Sequence, residues 1–212
     1  MNIAANVAKH LLEVEAVMLN PMQPFLWTSG IQSPIYCDNR KVLSYVDARN
    51  YVKKALVEKV KATFGEFDMV AGVATAGIPH GALVADEMAK PYVYVRSSSK
   101  GHGLRNLIEG DLKGTERVLV VEDLISTGGS AIKAVDALRE RGCEVVGVIA
   151  IFDYGFQKAK DAFKTANCDY TTLSDYFALL EQALKMEYIL EEDVETLKKW
   201  RENPESWRPV GS

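Results

Sequence analysis

Four short stretches built on apolar runs constrain this chain more than any other feature: MVAGVAT from Met69, YVYV from Tyr92, RVLVVED from Arg117 and EVVGVIAIF from Glu144. Each is short, rich in β-branched or aromatic residues and bounded by polar or turn-forming residues, so each reads as a buried strand. Between them the apolar spacing changes to that of a helix, over His80–Met88 and Ser130–Arg141, with a polar loop instead of a helix after YVYV. Another helical stretch, Asp47–Phe64, precedes the first strand, with Tyr51, Ala55, Val57 and Val60 set among lysines. Such alternation predicts an α/β fold: a mainly parallel central sheet flanked by helices. Val7–Met18 reads as an amphipathic helix, residues 20–40 as a Pro/Gly-punctuated loop or hairpin, and Asp175–Trp200 as helix with solvated charges.

Parallel sheets of this kind hold ligands just beyond the carboxyl ends of their strands, where loops lead into helices. Three loops qualify: Ala74-Thr75-Ala76-Gly77, Arg96–Gly110 and Glu122–Ser130. A length of 212 residues suits a single domain with a small N-terminal appendage and one active site. The net charge of -4 and a pI near 5.5 argue against nucleic acid or an anionic membrane as partner, since both need clustered positive charge. Lys9, Glu13 and Glu15 interrupt the N-terminal apolar rhythm, so export is not expected, and no run approaches a membrane span. Cys37, Cys143 and Cys168 are odd in number and lack metal-ligand spacing; they read as buried or partly buried thiols in a reducing cytoplasm.

The sharpest motif is VLVVEDLISTGGSAIKA from Val118. Four apolar residues bury a strand, and then Glu122 and Asp123 arrive together; two adjacent carboxylates cannot both hide in a core. Behind them Ser126-Thr127-Gly128-Gly129-Ser130 opens a helix, with small residues whose backbone N–H groups can converge on a phosphate while hydroxyls add donors. The bland alternative is an ordinary helix cap after a solvated acidic turn. The Lys of a GxxxxGK[ST] loop is missing, which disfavours a nucleotide triphosphatase.

This string resembles the 5-phosphoribosyl-1-diphosphate (PRPP) motif of the type I phosphoribosyltransferases, and the resemblance implies their fold. In that family the two acids hold the ribose hydroxyls beneath a ring that becomes oxocarbenium-like, and the loop cradles the 5′-phosphate. By resemblance Glu122 and Asp123 take the first role, and Leu124, Ile125, Ser126, Thr127, Gly128, Gly129 and Ser130 complete the PRPP site. A second segment, YVRSSSKGHGLRNLIEG, gathers Arg96, Lys100, His102 and Arg105 with no carboxylate from Arg96 through Ile108, a local anion site in an acidic protein. Gly101 and Gly103 suit a lid. Read alone it is equally a solvated surface loop.

Arg96 with Lys-Gly-His-Gly resembles the catalytic loop of the orotate phosphoribosyltransferases, which closes over the neighbouring subunit's PRPP. A third stretch, PFLWTSGIQSPIYCDNR from Pro24, resembles their N-terminal hood over orotate. The resemblance implies one phosphoribosyltransferase domain over residues 1–212, with a hood at about 20–40 and a mobile basic loop at 96–110. It further implies a cytoplasmic homodimer with shared active sites that converts PRPP and orotate to orotidine 5′-monophosphate and diphosphate in pyrimidine biosynthesis. Lys100, His102, Glu122 and Asp123 are the expected catalytic groups, with Arg96 on PRPP and Ser126 the candidate for orotate. Mg²⁺ is expected mainly through PRPP, and no residue is singled out as its ligand.

Three positions depart from patterns in parts of the family: Thr28 and Ala76, where many or some members have Lys, and Tyr154, where some have an Arg that reaches the orotate carboxylate. His10 and His80 read as structural. A purine phosphoribosyltransferase is disfavoured by the hood and the Lys-Gly-His-Gly loop. A non-catalytic PRPP sensor that binds nucleic acid calls for a basic face or an appended binding domain, and these residues display neither.

Overall fold

The computed structural model describes residues 2–27, 30–98 and 107–209. In chain order the elements are α1 (Ile3–Glu13), β1 (Val17–Leu19), β2 (Phe25–Leu26), β3 (Gln32–Ser33), β4 (Ile35–Cys37), a 3-10 helix (Asn39–Ser44), α2 (Val46–Thr63), β5 (Met69–Val73) and α3 (Gly77–Glu87). Then come β6 (Tyr92–Val95), β7 (Ile108–Glu109), β8 (Arg117–Ile125), α4 (Gly129–Glu140), β9 (Glu144–Asp153), α5 (Gln157–Thr165), β10 (Tyr170–Asp175), α6 (Tyr176–Lys185) and α7 (Glu191–Glu202). They form two compact units, Arg49–Leu173 and a second made of Met1–Ala48 with Ser174–Ser212.

The larger unit contains the expected sheet, in the order β10-β9-β8-β5-β6-β7. β5 is parallel to β6 and β8, β8 is parallel to β9, and β7 runs antiparallel beside β6. Its central strands are apolar without interruption because both faces are covered: every residue of β5 is buried, as are Val118–Val121 of β8. On one face Ala71, Val73, Val120 and Ala150 pack with Ala131, Ala134, Val135 and Leu138, four α4 residues that share one stripe of that helix. From β5 the chain steps to β6 on one side, then returns to place β8 on the other. The strand order therefore reverses between β5 and β8, the place where an open parallel sheet leaves a crevice at its carboxyl edge.

Glu116 anchors the turn into β8. Its carboxylate accepts hydrogen bonds from the backbone N–H groups of Lys113 (2.9 Å), Gly114 (2.8 Å) and Thr115 (3.0 Å). Burial raises its pKa, but the backbone donors together outweigh that and hold the acid at about 2. Because the folded pKa lies below the unfolded one, this stabilisation is complete above the ordinary value of 4.5 and is lost as the pH falls through about 2. Glu116→Gln is accordingly expected to lower Tm at pH 7, with the gap to the parent narrowing between pH 5 and pH 2 in calorimetry. A gap that stays constant over that range would count against the ionised turn.

The smaller unit corrects two helix boundaries. The helix expected over Val7–Met18 spans Ile3–Glu13, and Val17–Leu19 instead forms β1, paired antiparallel with β4 so that Val17 faces Cys37. Asn2 caps α1 through its side chain, and Glu15 turns the chain out of it with a left-handed φ of 53°. The C-terminal helix expected over Asp175–Trp200 is two helices, separated where Glu187 adopts a φ of 55°. Glu191, Glu192 and Asp193 then open α7, favourable charges at a helix N-terminus. Within this unit α1 buries Val7, Leu11 and Leu12, and Trp200 lies against Tyr176 and edge-on to Trp27. Within the stretch 20–40, β2 pairs antiparallel with β3. Among the described residues no helix is long and apolar enough to cross a membrane.

Candidate active site

β5 and β8 end side by side where the strand order reverses, and two of the three expected anion loops follow them. After β5, residues Ala74–Ala76 turn directly into α3, which starts at Gly77. No room exists there for a larger residue: a Cβ on Gly77 would lie 2.7 Å from the Val121 carbonyl oxygen and 3.2 Å from a carboxyl oxygen of Glu122. After β8, residues Ser126–Gly128 turn into α4. Gly128 is the N-cap with a left-handed φ of 80°, and it supplies no side-chain cap. The first turn of α4 thus keeps backbone donors for a ligand, beside the positive end of the helix.

The two acids at the end of β8 are treated differently. Glu122 is buried, at 4% exposure, whereas Asp123 is only half-buried. One Glu122 oxygen accepts from the Ser130 hydroxyl at 2.9 Å and the other from the Asp123 backbone N–H at 3.0 Å. Burial first, and the Asp123 charge second, push the Glu122 acid up to about 9.

The other expected residues are placed differently from one another. Ser126 is half-buried, Thr127, Gly129 and Ser130 are exposed, and Leu124 is half-buried, all on the loop side of β8. Ile125, by contrast, packs its side chain in the core, and its carbonyl accepts the Tyr154 N–H at 3.1 Å. Arg96 lies at the end of β6, where its guanidinium reaches Glu109 at 3.3 Å. Lys100, His102 and Arg105 lie outside the described residues. Of the departures, Ala76 is half-buried, Tyr154 is buried and stacked on Phe156 with centroids 5.4 Å apart, and Thr28 is outside the described residues. His80 is buried in α3, and His10 lies 3.5 Å from Glu13 on α1.

Several supporting contacts have no clear sequence signal. The Lys133 ammonium of α4 donates to the Ser97 carbonyl at 2.5 Å, next to the start of the basic loop. Asp153, buried at the end of β9 opposite Ile125, accepts from the Gly155 N–H at 2.7 Å and from the Tyr170 hydroxyl at 3.3 Å. Burial and then the Asp153 charge raise the Tyr170 phenol to about 12. Gly128 also sits against this brace, since a Cβ there would lie 3.0 Å from the Phe163 ring, which stacks on Tyr170. Among the described residues no three His, Cys, Asp or Glu side chains converge on one point.

Comparison with known proteins agrees with this geometry. Residues 44–180 match the phosphoribosyl transferase domain family. Over 207 residues the chain is 54% identical to the orotate phosphoribosyltransferase of Listeria monocytogenes serotype 4b (strain F2365), covering 98% of this chain and 99% of that one. The crystal structure of orotate phosphoribosyltransferase from Aeropyrum pernix superposes with a TM-score of 0.75 at 29% identity, covering 87% of this chain and 99% of that one. Leishmania donovani UMP synthase gives a TM-score of 0.77 at 29% identity over 93% of this chain, which spans only 42% of that longer protein. With a domain match over most of its length and a relative sharing more than half of its residues, the chain belongs to the orotate phosphoribosyltransferase family.

Proposed function

We propose that the chain transfers the 5-phosphoribosyl group of PRPP to a ring nitrogen of orotate, giving orotidine 5′-monophosphate and diphosphate. The observation that carries this reading is the pairing, at the point of strand-order reversal, of the strand-end acids Glu122 and Asp123 with the α4 N-terminus at Gly128, which has no side-chain cap. Backbone N–H groups of Ser126–Ser130, with the Ser126, Thr127 and Ser130 hydroxyls, suit the 5′-phosphate. Asp123 faces the ribosyl ring and stabilises positive charge as the bond from C1 to diphosphate breaks and the bond to nitrogen forms. Ser126 is the candidate contact for orotate. No side chain serves as a nucleophile, because the base nitrogen attacks C1 directly.

Arg96, Lys100 and His102 are assigned to the leaving diphosphate on the resemblance of their loop, and the hood role of residues 20–40 rests on the same kind of resemblance. The Arg96–Glu109 pair would give way as diphosphate takes the guanidinium. Two acids at one strand end, one of them hydrogen-bonded to Ser130 and the Asp123 N–H, suit a hydrated Mg²⁺ carried in by PRPP better than an ion caged by protein ligands. The ion neutralises charge on the departing diphosphate. We further assign a homodimer in which the basic loop of one subunit serves the site of the other.

The deciding experiment incubates the chain with PRPP, Mg²⁺ and, in separate reactions, orotate, adenine or hypoxanthine, following loss of base absorbance and release of diphosphate. Orotate alone should be consumed, with one diphosphate released per orotate and dependence on the added metal. Consumption of a purine in preference to orotate, or PRPP binding without turnover, would overturn the assignment.

A further inference from the structure

We infer that Phe163 and Tyr170, anchored on Asp153, are positioning residues for the 5′-phosphate: a brace beneath the loop after β8 that fixes Gly128 and, through it, the first backbone donors of α4. The inference rests on the reading of that loop as the phosphate cradle given above.

A cradle of backbone N–H groups works only while those groups converge on one point, and a loop of small residues with two glycines does not hold such a shape by itself. Residues Ser126–Gly128 are held at both ends. At the start, the Ile125 carbonyl accepts the Tyr154 N–H at 3.1 Å, and Ile125 stands opposite Asp153 in the β8–β9 register. At the end, Gly128 has a φ of 80° and the Phe163 ring stands where a side chain would point; a Cβ would meet ring carbons at 3.0 and 3.3 Å. Phe163 comes to this place from α5, fully packed in the apolar cluster that also contains Ala131 of α4.

Tyr170 joins the two ends. Its ring lies on that of Phe163, with centroids 4.1 Å apart and planes 20° from parallel, and its hydroxyl donates to one Asp153 oxygen at 3.3 Å. The other Asp153 oxygen accepts the Gly155 N–H at 2.7 Å, at the turn that leaves β9. Contacts therefore run without a break from Gly128 through Phe163, Tyr170 and Asp153 back to the strand end opposite Ile125. Burial, and then the Asp153 charge, raise the Tyr170 phenol to about 12, so the hydroxyl remains a donor at neutral pH. A displacement of Gly128 of about 1 Å would spoil the aim of the N–H groups that follow it, which is how side chains remote from the chemistry come to govern binding.

The test compares Phe163→Leu, Tyr170→Phe and the double variant in the full chain, measuring Kd for ribose 5-phosphate by calorimetry, KM for PRPP and for orotate, kcat and Tm. Phe163→Leu should weaken ribose 5-phosphate and raise KM for PRPP by about 10-fold each, and Tyr170→Phe by about 3-fold, while KM for orotate and kcat at saturating PRPP stay within about 2-fold. Because Tyr170 acts through Phe163, the double variant should bind no more weakly than Phe163→Leu alone. A lowered Tm with parental affinity for ribose 5-phosphate would reduce the brace to core packing and overturn the proposal. Equal losses for ribose 5-phosphate and orotate, or effects that multiply in the double variant, would overturn it too. Should Phe163→Leu fail to fold, Tyr170→Phe decides the matter, since it keeps the stacked ring and removes only the hydroxyl; parental binding of ribose 5-phosphate by this variant contradicts the brace. A parent chain that neither binds ribose 5-phosphate nor consumes orotate would sink the functional reading and this inference together, whereas an active parent with unaffected variants sinks the inference alone.

Discussion

Asp123→Asn is expected to lower kcat by about 100- to 1,000-fold while leaving the fold intact. Its carboxylate is half-buried at the end of β8, beyond the apolar stretch Val118–Val121 that carries the packing of the strand. Asn has nearly the same volume, so neither a cavity nor overpacking follows. What disappears is the negative charge. Glu122 does not take its place, since it lies deeper, at 4% exposure, with its oxygens on Ser130 and the Asp123 backbone N–H. Because the charge on the ribosyl group is greatest in the transition state, the loss should fall on kcat and kcat/KM together rather than on KM for PRPP. Steady-state kinetics beside a thermal melt checks this; a variant with a normal melt and a kcat within a few-fold of the parent would falsify the role.

Mixing two inactive variants, Lys100→Ala and Asp123→Asn, should restore about one quarter of wild-type sites if subunits assort at random in a two-fold dimer. Lys100 lies outside the described residues, so this expectation rests on the resemblance of its loop and on the distance that loop can cover. Between Val95 and Ile108 the chain has enough residues to extend well beyond its own sheet edge. If Lys100 serves the partner's site, half of the mixed population is heterodimer, and each heterodimer has one site with both defects and one with neither. Native mass measurement must show exchange before the rates are compared. Exchange without recovered turnover means that the loop serves its own chain.

The central sheet could be read from the chain because its strands are buried on both faces, which leaves uninterrupted apolar runs at β5 and β8. The acid pair was readable for a related reason, since charge at the end of such a run must reach a surface. Its division of labour was not, because Glu122 and Asp123 differ in what folds against them, and Gly77 and Ser130 come from two separate helices. The cluster from Arg96 through Ile108 has no carboxylate of its own, yet Arg96 pairs with Glu109, the first residue after it, on the antiparallel strand β7. The overextended helices have a shared cause. α1, α3, α5 and α6 are closed by Glu15, Ala89, Asn167 and Glu187, all with positive φ and none a glycine, so the usual stop signal is missing from the sequence. α5 and β10 were unanticipated altogether.

Those four closures have a use beyond explaining misplaced boundaries. A residue with a Cβ in the left-handed region costs roughly 1 kcal/mol relative to glycine, somewhat less for asparagine. Ala89 follows the C-terminal end of α3, the opposite end from the loop after β5, and Asn167 follows that of α5, a helix that none of the three candidate loops enters. Glycine at these positions would therefore give a hardier background that leaves the chemistry alone. In such a background, substitutions at Glu122, Ser130 or Gly77 that weaken the parent chain could still be purified and assayed, so that a lost activity could be told apart from a lost fold.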